Sequence, residues 1–463
     1  MRFLWPVWAR PHRLRQYQRR LVAFTAVIVP LLVYLLPYDS RVKIALQYHL
    51  TGPLLRPALA IEPFMSEAAP FPADLSEDVA YILKTGYATQ DRVAGCLQTL
   101  EDASVFRDLF LVADFAALAR DDGSRFVRNG GLPLAVHDVV ARTLARAPPA
   151  LVRTSPRAAM HAKLSLAIEE GDGDAARALA KEVGYPLDAM KFISSLELAY
   201  RTAPDKKWYV LVDDDTYLVR PTLQQLLGQF DPAKPYYLGN AIGGWNYRFA
   251  HGGSAVVLSR GALQRLFTEN PRAAAGAYAA SLIHGWGDLL LAEALARVGV
   301  YVEEGWRSLF NGETPATTKI RPDRFCAPVV SFHEVKTEEA MRGVHGVFSN
   351  IAAPSRWIDV WALLGAPAWE AFEEEPLRRD WDHVGRTDEY TVTVEGVESA
   401  LGCLGLCLRQ KLKGDDACLA WTWVGEGGVC HLSPWIVVGE RNAGRITGLN
   451  VQRVRSLAGA CGA

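Results

Sequence analysis

The chain has 463 residues and a formal net charge of −1, with half its residues hydrophobic and 22% charged. That balance is globular, the length requires two or three domains, and the neutrality excludes a globally basic nucleic-acid binder. No tandem repeat or long low-complexity tract organises it.

The first patterned segment is Leu21–Tyr38, LVAFTAVIVPLLVYLLPY, which carries no charge. As a helix it would span ~27 Å, close to the ~30 Å of a bilayer core. Arg2, Arg10, Arg13, Arg15, Arg19 and Arg20 precede it without an acid among them, and Asp39, Arg41 and Lys43 follow. This bias predicts a single-pass signal-anchor over 21–38, a cytosolic basic tail over 1–20 and a lumenal body. Pro30 is compatible with a membrane helix. A cleaved signal peptide is the rival reading, but the basic stretch is long for one and no small-x-small site directly follows the run. Pro37, Pro53, Pro57, Pro63, Pro70 and Pro72 mark 39–75 as a stem or linker, or else as an irregular start to the globular body. No Asn-x-Ser/Thr sequon gives an independent check on topology.

From about Ser76 strands alternate with helices. VAYILKTG predicts a strand ending at Gly86, DRVAGCLQTLED a helix with Val93, Leu97 and Leu100 on one face, and DLFLVADF a second strand. KFISSLELAYRTAP is a helix stopped by Pro204. KKWYVLVDDD is a third strand, and Pro221 opens a helix over TLQQLLGQF. This order predicts an α/β layered fold with a mostly parallel sheet, whose ligands gather at the carboxyl ends of the strands.

The third strand carries the strongest chemical signal. Trp208 to Val212 is a near-continuous apolar run, as expected of a strand buried on both faces, and it ends in Asp213, Asp214 and Asp215. In extended chain Asp213 and Asp215 point the same way. Three adjacent carboxylates repel, and a hard divalent ion such as Mg²⁺ or Mn²⁺ removes that penalty. Alone, such a triplet is more often a solvated turn. An EF-hand is excluded because its glycine-containing loop is absent. Downstream, Gly252-Gly253 lies between YRFAH and AVVLS, which suggests a close backbone approach to a ligand or a simple hairpin turn. Asp288 stands at the start of an amphipathic helix, where a carboxylate also serves as a cap or dipole partner. His333 follows the apolar strand APVVSF; a lone histidine there is more often structural.

The segments WYVLVDDDTYLVRPTL, PYYLGN, FAHGGSAVVLS, GDLLLAEAL and VSFHEV occur in the order found in Fringe-like and β-1,3-galactosyltransferase-like glycosyltransferases, and resemble the fungal type most. The resemblance covers about Ser76 to Asn350. It implies an A-type glycosyltransferase (Rossmann-like nucleotide-sugar-binding) fold over 76–350, a UDP-sugar donor and inversion at the anomeric carbon. It further implies Asp215 as direct metal ligand, Asp213 at the donor ribose or metal-bound water, Asp214 beside them, and His333 as the distal metal ligand. Asp288 matches the general base and Gly252 and Gly253 the pair lining the sugar pocket. The run His284-Gly285-Trp286-Gly287 departs from the family pattern, which often has Cys or a second acid before the base, so no acceptor carries over. Trp286 and Trp245 are candidates for stacking on a sugar face, or for core packing.

The stretch 351–386, with Pro354, Pro367, Pro376 and the acidic patch Glu373 to Glu375, reads as a linker or the close of the catalytic domain. Beyond it, Cys403 and Cys407 fall on one face of a helical segment, and Cys418 and Cys430 lie in strand-like segments. Zinc, with His431 nearby, competes with disulfides, which a lumenal compartment favours. The segment from Thr387 to about Val454 resembles the PAN/apple module, assigned to 387–455 and followed by a short tail, 456–463. The resemblance implies nested bridges, Cys403–Cys430 outside and Cys407–Cys418 inside, and a protein or carbohydrate partner for the module. Cys96 could pair with Cys326, leaving Cys461 free or intermolecular.

The resulting expectation is a Mn²⁺- or Mg²⁺-dependent inverting glycosyltransferase of a Golgi or other secretory-pathway membrane, moving a hexose or N-acetylhexosamine to a glycan or glycoprotein hydroxyl, with a β-1,3 linkage implied by the resemblance. The alternatives are a nucleotide-sugar hydrolase using the same site, and a non-catalytic carbohydrate- or protein-binding adhesion protein.

Overall fold

The structure, a computed structural model, describes residue 28 and residues 30–51, 59–100, 108–116, 134–244, 247–413 and 417–461. Eight of the eighteen residues of the 21–38 run, and all of the basic stretch before it, lie outside these residues. No described helix is long and apolar enough to cross a membrane.

The body is built on a six-stranded sheet in the order β3-β2-β1-β4-β9-β6. Its strands are β1 (Val79–Lys84), β2 (Leu109–Ala113), β3 (Val136–Asp138), β4 (Trp208–Asp213), β6 (Tyr237–Gly239) and β9 (Val256–Ser259). The first four run parallel, and β9 pairs antiparallel with both β4 and β6. Alternate residues of β4 enter two separate apolar clusters: Trp208, Val210 and Val212 on one face, Tyr209 and Leu211 on the other. Both faces are therefore covered, which is why this strand reads as an unbroken apolar run. Strand order reverses between β1 and β4, the place where open parallel sheets leave a crevice at their carboxyl ends.

Between β3 and β4 the chain forms helices Val139–Arg146, Pro149–Val152, Pro156–Glu169, Gly173–Asp188 and Lys191–Thr202. Leu164, Ala180, Val183 and Leu187 make a small cluster of their own there. The last of these helices was legible in the sequence; the first four were not, and one of them delivers Tyr185 and Asp188 to the site described below.

Two boundaries differ from the sequence reading. The stretch 351–386 is not a free linker: Trp357, Trp361 and Phe372 are buried in the main core, and β11 (Arg378–Trp381) already belongs to the C-terminal sheet. The described part of 39–75 lies against the body. Tyr301 donates to the Tyr38 carbonyl at 2.6 Å, Gln225 Nε2 donates to the carbonyls of Phe64 and Glu67, and Phe64 is buried.

The C-terminal unit is an antiparallel sheet in the order β11-β15-β13-β14-β12, with β12 (Val392–Val394), β13 (Ala420–Val424), β14 (Val429–Ser433) and β15 (Arg441–Leu449). Its helix, Ala400–Arg409, is tied down by Cys403–Cys430 and Cys407–Cys418. Cys326 pairs with Cys461 and not with Cys96, which is a buried free thiol. That bridge fastens the segment read as a tail to the main body. Lys319 and Arg321 both reach Asp388 and lie over the Trp435 ring, and Ile320 bridges to Ile436. The two units thus share a continuous apolar core.

Candidate active site

The register of the sheet builds the centre of the site. Lys84, the last residue of β1, is paired with Asp213, the last of β4. Directly after the acidic triplet, β5 (Tyr217–Leu218) pairs antiparallel with β10 (Ser331–Phe332), so the chain leaving β10 runs back beside the triplet. Val335 N–H then donates to the Asp215 carbonyl at 3.0 Å, and His333 Nε2 lies 3.0 Å from Asp215 Oδ1. One ligand atom each from Asp213, Asp215 and His333 falls within 4.8 Å of the others. Two carboxylates and an imidazole at that spacing suit a divalent cation.

Asp214, in the turn that follows β4, faces the other way. It is 4% exposed; its Oδ2 accepts from Thr85 Oγ1 at 2.6 Å and its Oδ1 lies 3.3 Å from Arg92 Nη1. Burial pushes its carboxyl up to about 6, against the pull of the Thr85 hydrogen bond and Arg92. It braces the β1 end and stands outside the cluster of three. Burial also opposes charge on Asp215, but the hydrogen bond and charge of His333, with Arg92, win and hold its carboxyl below the ordinary value. The same pair raises His333 against its burial.

Protein cations offset part of the repulsion within the triplet. Lys84 Nζ lies 3.1 Å from Asp213 Oδ1 and 2.7 Å from Asp188 Oδ1, and Arg92 Nη1 lies 3.1 Å from Asp215 Oδ2. Burial disfavours the Lys84 ammonium, yet Asp188 and Asp213 raise its pKa above the ordinary range and keep it charged. Burial and Asp188 raise Asp213, against the attraction of Lys84. These partners come from β1, the helix start at Arg92 and the inserted helices. Nothing local in the sequence marks them.

Asp288 enters from a second direction. It lies in the first turn of the helix Gly287–Arg297, whose N-cap is Trp286. Its Oδ1 accepts from Leu289 N–H at 2.8 Å and its Oδ2 from Gly252 N–H at 3.0 Å, so the carboxylate is fixed by backbone donors from two elements. Crowding by neighbouring side chains requires glycine at both positions of the Gly252-Gly253 pair, and both also line a cavity of the site. A methyl at Gly253 would overlap the His333 ring, reaching 2.7 Å from Cδ2. One at Gly252 would meet Phe192 Cζ at 2.7 Å and Asp288 Cβ at 3.6 Å. The pair is the seam on which the Asp213–Asp215–His333 cluster and Asp288 meet. Thr216 Oγ1 locks the seam by donating to the Gly253 carbonyl at 2.8 Å.

Two cavities open here. One of about 340 Å³ is lined by Asp213, His333, His251, both glycines, Asp288 and Trp286; the other, of about 400 Å³, by Asp213, Asp214, Asp215, Arg92, Thr85 and Lys191. Lys84, Tyr185, Asp188, Asp213 and His333 line both. Trp286 is 49% exposed at the rim with its ring 6.2 Å from that of Phe249, which leaves a face open and argues against the core-packing reading. Trp245 lies outside the described residues. A third cavity of about 520 Å³, between Asp74, Arg220 and Phe348, is remote from these groups.

Comparison with known proteins agrees with this geometry. Residues 187–367 match a family model described as Fringe-like. The chain is 36% identical over 87 residues to a human protein named beta-1,3-glucosyltransferase, and 36% identical over 69 residues to its mouse namesake. These stretches cover 18% and 14% of this chain, and the same shares, 18% and 14%, of the relatives' own lengths. The matched segment, residues 187–367, holds the acidic triplet, the glycine pair, Asp288 and His333, and over that segment the chain is similar to the Fringe-like family.

Proposed function

We propose that the chain is a divalent-metal-dependent inverting glycosyltransferase that moves a hexose, or N-acetylhexosamine, from a UDP-sugar to a hydroxyl of a glycan or glycoprotein. The observation that carries this reading is the convergence of Asp213, Asp215 and His333 with Asp288 around adjoining cavities at the β1/β4 switch point. The names of the human and mouse relatives support glucose as the first donor to try and a β-1,3 linkage.

The residues divide the work. Asp213, Asp215 and His333 would hold the ion, for which Mn²⁺ is the leading candidate. When bound, it supplies Lewis-acid stabilisation to a departing diphosphate. Lys84 and Arg92 face the cavities with positive charge and can bind the same phosphates. Asp288, oriented by Gly252 and Leu289, takes the proton of the acceptor hydroxyl. The acceptor oxygen forms its bond to the anomeric carbon as the bond from that carbon to the β-phosphate oxygen breaks, and the electron pair leaves with UDP. Trp286 offers an apolar face for the acceptor sugar.

Three disulfides support an oxidising, lumenal compartment, and the uncharged run Leu21–Tyr38 supports a type II anchor in a Golgi or related membrane. The test is a screen of UDP-sugars with Mn²⁺, measuring UDP release with and without β-glycoside acceptors. Release that requires an acceptor and yields a new glycoside is the expected result. Release unaffected by acceptor would make the chain a hydrolase, and none with any donor would favour a binding protein.

A further inference from the structure

His251 sits immediately before the glycine pair, at the end of β8 (Phe249–Ala250), and lines the cavity shared by Asp213, His333 and Asp288. Its ring meets the His333 ring edge-on, with centroids 5.4 Å apart. The next residue, Gly252, gives its N–H to Asp288. The His251 imidazole therefore lines the same cavity as Asp213, His333 and Asp288.

That imidazole is fixed in one orientation. Asn240 Nδ2 donates to Ser254 Oγ at 3.1 Å, and Ser254 Oγ lies 2.8 Å from His251 Nδ1. An amide nitrogen has only protons to give, so the Ser254 hydroxyl keeps its own proton for Nδ1. No other acceptor for that proton appears among the described residues. The backbone N–H of His251 also donates to the Asn240 carbonyl at 2.9 Å, and Gly312 lies over the relay, where an added Cβ would be 3.3 Å from Ser254 Oγ. With Nδ1 accepting, the ring proton resides on Nε2, which takes no protein partner among the described residues. An N–H donor is thus held in a cavity that Asp188, Asp213 and Asp288 also line.

We propose that His251 is a specificity-determining residue, whose Nε2–H donates a hydrogen bond to an oxygen of the sugar being transferred. The inference rests on the transferase reading above and adds the group that reads the sugar rather than the nucleotide. Donor-only geometry at this point selects a hexose that places an acceptor oxygen toward the glycine seam. A sugar lacking that oxygen leaves the N–H unpaired, the arrangement that discriminates most strongly.

The experiment compares equilibrium affinities for UDP and for the preferred UDP-hexose, each with Mn²⁺, in the wild type, His251→Ala and His251→Gln, together with mono-deoxy forms of the donor sugar. The expected result is unchanged UDP affinity in all three proteins, which also certifies folding. His251→Ala should lose about three- to tenfold in affinity for the UDP-hexose, and His251→Gln should recover part of it. One deoxy donor should bind the wild type as weakly as the intact donor binds His251→Ala, with no further loss when both changes are combined. Equal loss of UDP and UDP-hexose affinity, or an unaltered preference for the sugar nucleotide, would overturn the assignment and leave His251 a support for the glycine loop. A wild type that neither prefers any UDP-sugar over UDP nor releases UDP would instead refute the transferase reading, and the role of His251 with it.

Discussion

Replacing Gly253 with alanine is the sharpest perturbation of the site, because it adds a single methyl and replaces none of the residues that would hold the ion. The added carbon would overlap Nε2 and Cε1 of His333 and lie 2.7 Å from Cδ2. Carbon atoms in contact settle at about 3.5–4.0 Å, so the ring must retreat by about 1 Å. It cannot retreat freely, since its backbone N–H is bonded to the Glu313 carbonyl and Phe332 is fully buried. Overpacking of this kind costs about 1–3 kcal/mol of stability, which the protein should survive. A 1 Å displacement of a functional group costs about 10² in rate. Gly253→Ala should therefore remain folded by circular dichroism, with Mn²⁺ affinity and UDP release both strongly reduced. Gly252→Ala is the internal comparison: its methyl meets Phe192 and Asp288, so Mn²⁺ affinity should hold while turnover falls. A Gly253→Ala protein with wild-type Mn²⁺ affinity and turnover would show that His333 is not held by this contact and that the seam is misread.

Four further outcomes follow from the same geometry. Asp288→Asn should fold and bind UDP and Mn²⁺ normally while transferring sugar at least about a hundredfold more slowly; near-normal transfer would return Asp288 to a purely structural place in the helix start. Asp215→Ala should abolish Mn²⁺-dependent donor binding measured by calorimetry, whereas Asp214→Asn should retain it, because Asp214 points at Thr85 and Arg92. His383 is fully buried in the C-terminal unit, and burial together with Arg378 lowers it to about 4. The unfolded chain binds the extra proton first, so stability present above pH ~6.5 should fall as the pH drops toward 4, by about 3 kcal/mol in urea melts, and His383→Phe should remove that share. Cys461→Ser should cost about 2–5 kcal/mol by opening the bridge to Cys326; an unaltered melt would mean the bridge adds nothing to a core already shared.

What the sequence revealed and what it hid have a common physical cause. The β4 run was legible because burial on both faces leaves an unbroken apolar signature, and Asp213, Asp215 and His333 were legible because they stand at strand ends. The opposite direction of Asp214 is set by the turn after β4, which ends at Asp213. Lys84, Arg92, Asp188 and His251 carry no local signature: a lysine ending a strand looks solvated until its pairing with Asp213 is known. The glycine pair was visible, but its reason was not, since the neighbours that forbid a side chain, His333 and Phe192, are distant in sequence. The stretch 351–386 reads as a linker because of its prolines, although Trp357, Val360 and Trp361 share the buried face of the short helix Trp357–Leu363.

The central claim is that the acidic cluster, His333 and Asp288 serve one sugar-transfer reaction. It is tested most directly by proton NMR of a reaction containing the purified chain, UDP-glucose, a β-glycoside acceptor and Mn²⁺, run in parallel with excess chelator. The account predicts a new β-linked anomeric signal that grows with UDP, disappears in chelator and is restored by added Mn²⁺. A transfer product formed equally well in chelator, or a product with retained α configuration, would contradict it.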